Sequence, residues 1–375
     1  MATDPDLPDA SAARWAPSIG VLARAVGIAA DPRKLILAGL GLIVYRAGLL
    51  PFEPLTFRLA PPIDRFDILA GDVWIELAGR VAEPARAVVS PFRQVFARGI
   101  GWHGFARSTL IGLWAVVVWG LAGGAIARIA VVEAATGRKL GLGTAARFAL
   151  GRAVALIAAP LTPMVAVAFF AAGCALFGLL YRIPGGVGST IAAIFTFLPL
   201  LAGLGMTLIL LGLAAAWPLM HATVAAEGED TPDALSRSYA YVNQRLPRYA
   251  ILAATSWTIG AVGLGLAILF ARAVLALSDW GVALGAPDAV TTTDLSHTIR
   301  GVWLSAVALL VQAWTYSYFW SAASIIYLLL RRDVDGTEIH DVYLPEHDAD
   351  TFAGEPAVSS LPHAEASTVS DPAEG

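Results

Sequence analysis

Residues 191–219 read IAAIFTFLPLLAGLGMTLILLGLAAAWPL, and this run contains no Asp, Glu, Lys or Arg. The hydrocarbon core of a bilayer is about 30 Å thick, and a helix of roughly 20 apolar residues crosses it. The run exceeds that length. It also lacks the polar face that a helix on a soluble surface shows, so it predicts a transmembrane helix.

The same pattern recurs along the chain. Residues 35–50 are a further candidate, but this run is shorter and contains Arg46. The sequence therefore predicts an all-α fold, a polytopic membrane helix bundle with six transmembrane helices, or five if residues 35–50 do not cross. The four other long apolar runs are Thr109–Val132, Pro163–Tyr181, Ala250–Leu277 and Val302–Leu330.

The composition also favours a membrane protein. Of the 375 residues, 57% are hydrophobic and 14% are charged, whereas a soluble domain has about 25% charged residues. The chain after Arg332 contains no Lys or Arg and 11 acidic residues, so we expect no nucleic-acid partner. The expected partners are membrane lipids, with other membrane proteins as an open alternative.

The basic residues of the short loops predict the orientation, because Lys and Arg are enriched in cytoplasmic loops. Nine of them lie in residues 133–152, 237–248 and 331–332, whereas the intervening loops hold Arg182 and Arg300. We therefore expect these three regions and the C-terminus in the cytoplasm. Six crossings place the N-terminus there as well, whereas five place it outside.

This layout divides the chain into three parts. Residues 1–34 form an N-terminal cytoplasmic segment, and residues 35–330 form the membrane domain. Residues 331–375 form a disordered, acidic cytoplasmic tail, because they contain too few large apolar residues to fold alone. The histidines of the tail are irregularly spaced, so they do not predict a metal site.

The loop of residues 51–108 is expected outside the cytoplasm, although it holds seven arginines. Its apolar residues recur at helical spacing and predict one or two amphipathic helices, broken at Pro84 and Pro91. Two interpretations remain open: helices that lie on the membrane surface, or an ordinary extracytoplasmic cap. The apolar positions are Trp74, Leu77, Ala78, Val81, Val88, Phe92, Val95 and Phe96.

A polar loop, EGEDTPDALSRSYAYVNQR, occupies residues 227–245. Thr231 suits a helix N-cap and Pro232 the first helical position. Apolar side chains then recur at i, i+4 and i+7, so the loop predicts a cytoplasmic surface helix near residues 232–245. A similar surface helix is expected near residues 144–158.

This loop also carries a resemblance to known proteins. A Glu-Gly pair followed by Ala-Leu-x-Arg-Ser resembles uncharacterised bacterial six-helix integral membrane proteins and, more distantly, the membrane domain that accompanies some glycerophosphodiester phosphodiesterases. Residues 31–35 and 123–128 look like the bacterial group as well. The resemblance implies a location in the bacterial inner (cytoplasmic) membrane, with the C-terminus in the cytoplasm, but no activity. The motif residues are Glu227, Gly228, Ala234, Leu235, Arg237 and Ser238.

Ionisable residues within transmembrane helices often mark a functional path. The predicted helices contain no Asp or Glu, and their arginines are Arg46, Arg128 and Arg272. Each lies near a helix end, where a long side chain can snorkel to the interface. Gly120, Gly124 and Arg128 share one face, which favours close helix packing and leaves a ligand contact as the alternative.

The last apolar helix is polar near its middle. Gln312, Tyr316 and Trp320 follow each other at four-residue spacing and share a face. Their polar atoms need partners inside a bilayer. Either they bind neighbouring helices, or they line a small polar cavity for a lipid headgroup or a solute.

No catalytic, cofactor-binding or metal-binding constellation can be assigned from the sequence. We therefore expect a non-enzymatic integral membrane protein with a structural, lipid-interacting or assembly-related role. The alternative is a carrier or channel for a neutral or lipid-like solute.

Overall fold

The computed structural model of the protein describes residues 12–52, 71–97, 99–285 and 293–344. Within these ranges the chain is all-α, as predicted, with twelve α-helices and no strand. The helices are α1 (Ala12–Ala29), α2 (Pro32–Leu49), α3 (Gly71–Val81), α4 (Glu83–Val95), α5 (Trp102–Thr136), α6 (Leu142–Gly151), α7 (Ala153–Gly178), α8 (Val187–Ile194), α9 (Phe197–Glu227), α10 (Thr231–Gln244), α11 (Leu246–Ala283) and α12 (Asp294–Asp335).

Five described helices are long and apolar enough to cross a membrane. They are α5, α9, α11, α12 and the segment Ala153–Arg182, in which a 3₁₀ turn continues α7. α2 is not among them, because it carries three basic residues, Arg33, Lys34 and Arg46. Of the two predicted counts, five is the one that helix length and composition support.

α1 and α2 nevertheless belong to the bundle. α2 packs against α5 and α12, and a Cβ at Gly41 would lie 3.0 Å from Ala122 Cβ. α1 packs against α12, where Ser317 Oγ donates a hydrogen bond to Ala29 O at 2.8 Å. The described part of the predicted N-terminal cytoplasmic segment, residues 1–34, thus packs on the long helices.

One end of the bundle collects the basic loops. Here α5, α9 and α12 end and α11 begins. Arg152 Nη1 lies 3.2 Å from Asp230 Oδ1, and Arg248 Nε lies 2.7 Å from Asp333 Oδ2. We call this the basic end of the bundle, and the other the opposite end.

Small residues let the central helices approach closely. α12 lies against α1, α2, α5, α9 and α11. Its Trp320 fills the space beside Gly123 of α5, where a Cβ would lie 2.4 Å from the indole. A Cβ at Gly124 would lie 2.5 Å from Leu156 Cδ1, so α7 packs on the glycine face of α5.

α3 enters the bundle from the opposite end and runs toward the middle of α11. Leu77 lies against Gly265, and Val81, the last residue of α3, lies against Gly260. At 1.5 Å per residue, Gly260 is about 21 Å from the start of α11. The turn after α3 therefore lies near mid-depth of the long helices.

α4 leads back toward the opposite end. Phe92 lies against Gly112, and Ser108 Oγ donates to Gln94 Oε1 at 3.3 Å, both close to the start of α5. α3 and α4 thus form a helical hairpin whose turn lies inside the bundle. We call residues 71–95 the re-entrant hairpin.

The re-entrant hairpin corrects both interpretations of the loop at residues 51–108. Its apolar face neither lies on a membrane surface nor caps the bundle, because Leu77, Val81 and Val88 are buried against the long helices. Pro84 stands at the start of α4, as expected of a break. Pro91 does not break the helix and lies inside α4.

Two short helices lie at the basic end. α10 occupies residues 231–244, close to the predicted surface helix. α6 occupies residues 142–151 only, and residues 153–158, predicted to belong to the same surface helix, already form the start of α7. The predicted bounds of 144–158 are therefore wrong at their C-terminal side.

The predicted disordered tail is also corrected at its start. α12 continues to Asp335, and the chain then turns over the end of α9, where Tyr343 N donates to Ala226 O at 2.8 Å. Ile339, Val342 and Leu344 pack against the core. The rest of the predicted tail, residues 345–375, lies outside the described residues.

Candidate functional site

The predicted polar face of the last helix meets an arginine from α2. Arg46 Nη2 donates to Gln312 Oε1 at 3.1 Å. Arg46 therefore binds a neighbouring helix. Gln312, the partner of Arg46, lies about 34 Å from the end of α12, at 1.5 Å per residue. Arg46 therefore lies at that distance from the basic end.

The re-entrant hairpin brings an acid to the same region. Glu83 begins α4, directly after the hairpin turn, and interacts electrostatically with Arg46, Arg80 and Arg86. The sequence predicts no acid in the interior, because Glu83 lies in a segment expected outside the membrane. The helical spacing of the apolar residues around it was the available signal that this segment has a buried face.

Aromatic rings line the α5 side of this polar cluster. Tyr316 is buried and stacks on Trp119, with ring centroids 4.2 Å apart. Tyr45 OH donates to Ala87 O of the hairpin at 3.3 Å. The Arg46–Gln312 hydrogen bond joins α2 to α12, and Glu83 and Tyr316 lie within electrostatic range of Arg46; we call these four residues the polar cluster.

Trp320 does not join the polar cluster, although it follows Tyr316 on the same predicted face. Its ring centroid lies 4.6 Å from that of His221 and 5.4 Å from that of Trp217, both on α9. Trp320 is therefore a packing residue between α5, α9 and α12. The predicted common face of α12 is therefore divided: Gln312 and Tyr316 belong to the polar cluster, whereas Trp320 packs against α9.

On the other side of the hairpin turn lies an apolar cavity of about 250 Å³. Residues of α9, α11, α12 and the hairpin turn line it. Trp257 stands at its rim and is 49% exposed on the outer face of the bundle. The lining residues are Val81, Ala82, Ala85, Pro218, Leu219, Tyr249, Ala253, Ser256, Trp257, Tyr318, Phe319, Ala322, Ala323 and Ile326. We call this the inner cavity.

The polar side chains of the inner cavity are all bonded to the protein. Tyr249 OH donates to Ala215 O at 2.7 Å, and Trp257 Nε1 donates to Ala78 O at 2.7 Å. Tyr318 OH donates to the backbone oxygen of Ser256 at 2.6 Å and lies 3.2 Å from its Oγ. What remains for a ligand to contact is hydrocarbon.

A second apolar cavity of about 230 Å³ lies between α4, α5, α7 and α9. It extends along the outward course of α4. Its lining consists of Val88, Val89, Phe92, Arg93, Phe96, Val116, Pro160, Met164, Leu210, Leu213, Ala214 and Trp217. We call this the outer cavity.

Arg128 takes no part in either cavity. It is completely buried, and its Nη1 donates to Ala225 O at 2.8 Å and to Tyr343 O at 2.7 Å. The guanidinium also lies 4.5 Å from the centroid of the Phe148 ring. Its positive charge complements the last carbonyls of α9, so Arg128 packs at the helix end rather than snorkelling.

The Glu-Gly motif of the polar loop is a structural joint at the basic end. The Glu227 carboxylate receives hydrogen bonds from Arg237 and from Tyr327 OH, and Arg331 Nε lies 3.4 Å from it. Arg237 Nη2 also lies 3.2 Å from Glu229 Oε1. The glutamate thus links α9, α10 and α12.

The other motif residues shape the same joint. Gly228 ends α9 in the left-handed region, with φ at 66°, a conformation that glycine adopts without strain. Ala234 is completely buried, and Leu235 packs against the core. Ser238 Oγ lies 2.9 Å from Thr223 Oγ1. The motif residues therefore shape the loop and the helix at the basic end.

No family model, curated protein or solved structure matches this chain. The structure supports only the general architecture that the resemblance implies, a helical protein with five long apolar helices among the described residues.

Proposed function

We propose that this protein is a non-enzymatic, polytopic membrane protein that binds the hydrocarbon chain of a membrane lipid in the inner cavity. The observation that carries the proposal is an apolar cavity whose polar side chains are all bonded internally. Its lining includes Trp257, which is 49% exposed on the outer face of the bundle, where hydrocarbon surrounds a membrane helix.

The physical argument concerns what can fill such a space. Water gains little in a cavity that offers it no hydrogen-bond partner, and apolar cavities of this kind stay dry or bind apolar ligands. An unfilled cavity forfeits dispersion contacts along its lining. A lipid chain restores those contacts, so shape and access favour hydrocarbon as the occupant.

The test is photolabelling of the full-length protein in phosphatidylcholine vesicles that contain a diazirine-bearing acyl chain. We expect photolabel on the α11 and α12 residues of the inner cavity. The amount of label there should be several-fold lower in Ala253→Trp, because the tryptophan side chain fills the cavity. Ala254→Trp is the matched control, because Ala254 is the exposed neighbour of Ala253. Equal labelling of wild-type protein and Ala253→Trp refutes the proposal.

A carrier or channel for a neutral or lipid-like solute is the second candidate. The polar cluster favours it, because charged and polar groups between the helices of a membrane protein usually serve a path or a site. Solute flux into vesicles that Gln312→Ala or Tyr316→Phe abolishes supports this candidate. Flux unchanged in both variants counts against it.

We further propose that the basic end faces the cytoplasm of a bacterial inner membrane, since nine loop cations gather there. The single cysteine is Cys174. With Cys174→Ser as background, a cysteine at Ser236 should resist a membrane-impermeant maleimide in intact cells and react after lysis. A cysteine at Gly285 should react before lysis. The reverse pattern overturns the orientation.

A further inference from the structure

The outer cavity differs from the inner one by having a cation at its rim. Arg93 lines it and lies in the last turn of α4, with its side chain exposed. None of the ion pairs among the described residues involves Arg93. By contrast, Arg80 pairs with Glu76, and Arg86 donates to Gly79 O.

The depth of Arg93 matches that of a lipid headgroup. Arg93 lies ten residues beyond Glu83, which at 1.5 Å per residue places it about 15 Å from the hairpin turn. The turn lies near mid-depth, and half of a bilayer core is also about 15 Å. Arg93 therefore stands near the border between hydrocarbon and headgroups, while the apolar lining of the outer cavity extends inward from it.

We propose that the outer cavity binds an anionic phospholipid, with an acyl chain against Val88, Phe92 and Leu213 and the lipid phosphate at Arg93. A guanidinium forms charge-assisted and often bidentate hydrogen bonds with phosphate oxygens. The apolar lining requires a chain attached to that phosphate. This site rests on the proposed lipid-binding function but is separate from the inner cavity, and it adds selectivity for headgroup charge.

The measurement is native mass spectrometry of the full-length protein in a non-ionic detergent, titrated with phosphatidylglycerol or phosphatidylcholine. We expect wild-type protein to bind phosphatidylglycerol about fivefold more tightly, the size that one interfacial basic residue supplies. Arg93→Gln should bind both lipids equally, and Arg93→Lys should keep part of the preference. Arg182→Gln, an exposed arginine that lines neither cavity, should behave as wild type.

A second variant tests the acyl-chain part. Ala214→Trp fills the outer cavity and should weaken binding of both lipids several-fold, whereas Leu211→Trp, at a position 64% exposed on the same helix, should not. Excess inorganic phosphate should fail to displace phosphatidylglycerol. If free phosphate displaces it fully, Arg93 is a simple anion site and the proposal is wrong.

The outcomes also separate this site from the proposed function. If Ala253→Trp lowers lipid binding while Arg93→Gln and Ala214→Trp leave it unchanged, the inner cavity binds lipid and the outer site is refuted. If none of the three variants changes lipid binding, both proposals fail. Only variants whose melting temperature and gel-filtration profile match those of the wild-type protein are compared, so that loss of folding is not mistaken for loss of binding.

Discussion

Lys34 Nζ lies 2.5 Å from Glu133 Oε2, and the Lys34 side chain is 0% exposed. The pair joins the start of α2 to the last turn of α5 at the basic end. A buried charge that loses its partner is costly, because the remaining ion stays desolvated. This pair therefore ties the position of α2 to that of α5.

We expect Glu133→Gln to lower the free energy of unfolding by about 3–5 kcal/mol, because it leaves the Lys34 ammonium without its carboxylate. Thermal unfolding in detergent, followed by tryptophan fluorescence, measures the change. Asp233→Asn removes an exposed carboxylate and should change stability by less than about 0.5 kcal/mol. Equal effects of the two variants contradict the buried-pair interpretation.

Asp31, beside this pair, should make stability depend on acid pH. Burial acts to raise the pKa of Asp31, but hydrogen bonds from Arg33 N and Lys139, with the charges of Lys34 and Lys139, lower it below its usual value. A carboxyl whose folded-state pKa is lowered stabilises the fold above its unfolded pKa of about 4, and this contribution is lost as the pH falls.

Melting temperatures measured between about pH 3 and 6 test this linkage. The wild-type protein should lose thermal stability more steeply on acidification than Asp31→Asn, which has no carboxyl to protonate. Parallel curves for the two proteins would show that Asp31 contributes nothing to the pH dependence.

Gly123 should not tolerate a side chain. Gly123→Ala would place a Cβ 2.4 Å from the Trp320 indole, which is itself buried. Overpacking of this kind costs about 1–3 kcal/mol. Gly173→Ala on α7, where a Cβ meets nothing within 4 Å, is the control and should be neutral or stabilise slightly. Trp320→Phe should partly rescue Gly123→Ala; a Gly123→Ala protein of unchanged stability would refute the close approach.

Glu227 should hold the segment after α12 in place. Glu227→Gln weakens charge-assisted bonds to Arg237 and Tyr327, each worth about 1.5–3 kcal/mol. Hydrogen exchange at residues 337–344 should then accelerate. Glu229→Gln is the matched control, because the side chain of Glu229 is 33% exposed while that of Glu227 is 7% exposed. If hydrogen exchange at residues 337–344 is unchanged in Glu227→Gln, then Glu227 does not hold this segment in place.

The five long helices could be predicted from the sequence, because apolar runs longer than a bilayer is thick have few other folded solutions. Their ends could not. α12 extends from Asp294 to Asp335, well beyond the apolar run Val302–Leu330, because polar residues continue the helix at both sides. A hydropathy pattern marks only the apolar part of a helix, which lipid or protein covers. It does not mark the polar turns that extend the helix at each end.

The hairpin shows why the site was only half predictable. The periodicity of Leu77, Val81 and Val88 indicates that one face is covered, but lipid and protein cover an apolar face equally well. The choice of partner depends on tertiary packing. Gln312 and Tyr316 could be recognised as polar groups at mid-helix, whereas their neighbours Arg46 and Glu83 come from distant segments that only the fold brings together.

The hydrogen bond from Trp257 to Ala78 joins positions 179 residues apart. During translation at about 5–20 residues per second, α11 emerges about 10–35 s after α3. In that interval the nascent hairpin has no α11 to pack on, and the lipid interface is the remaining cover for its apolar face. Assembly of this protein thus includes a step in which the hairpin exchanges lipid for a helix made much later, which makes the hairpin vulnerable if synthesis stops before α11.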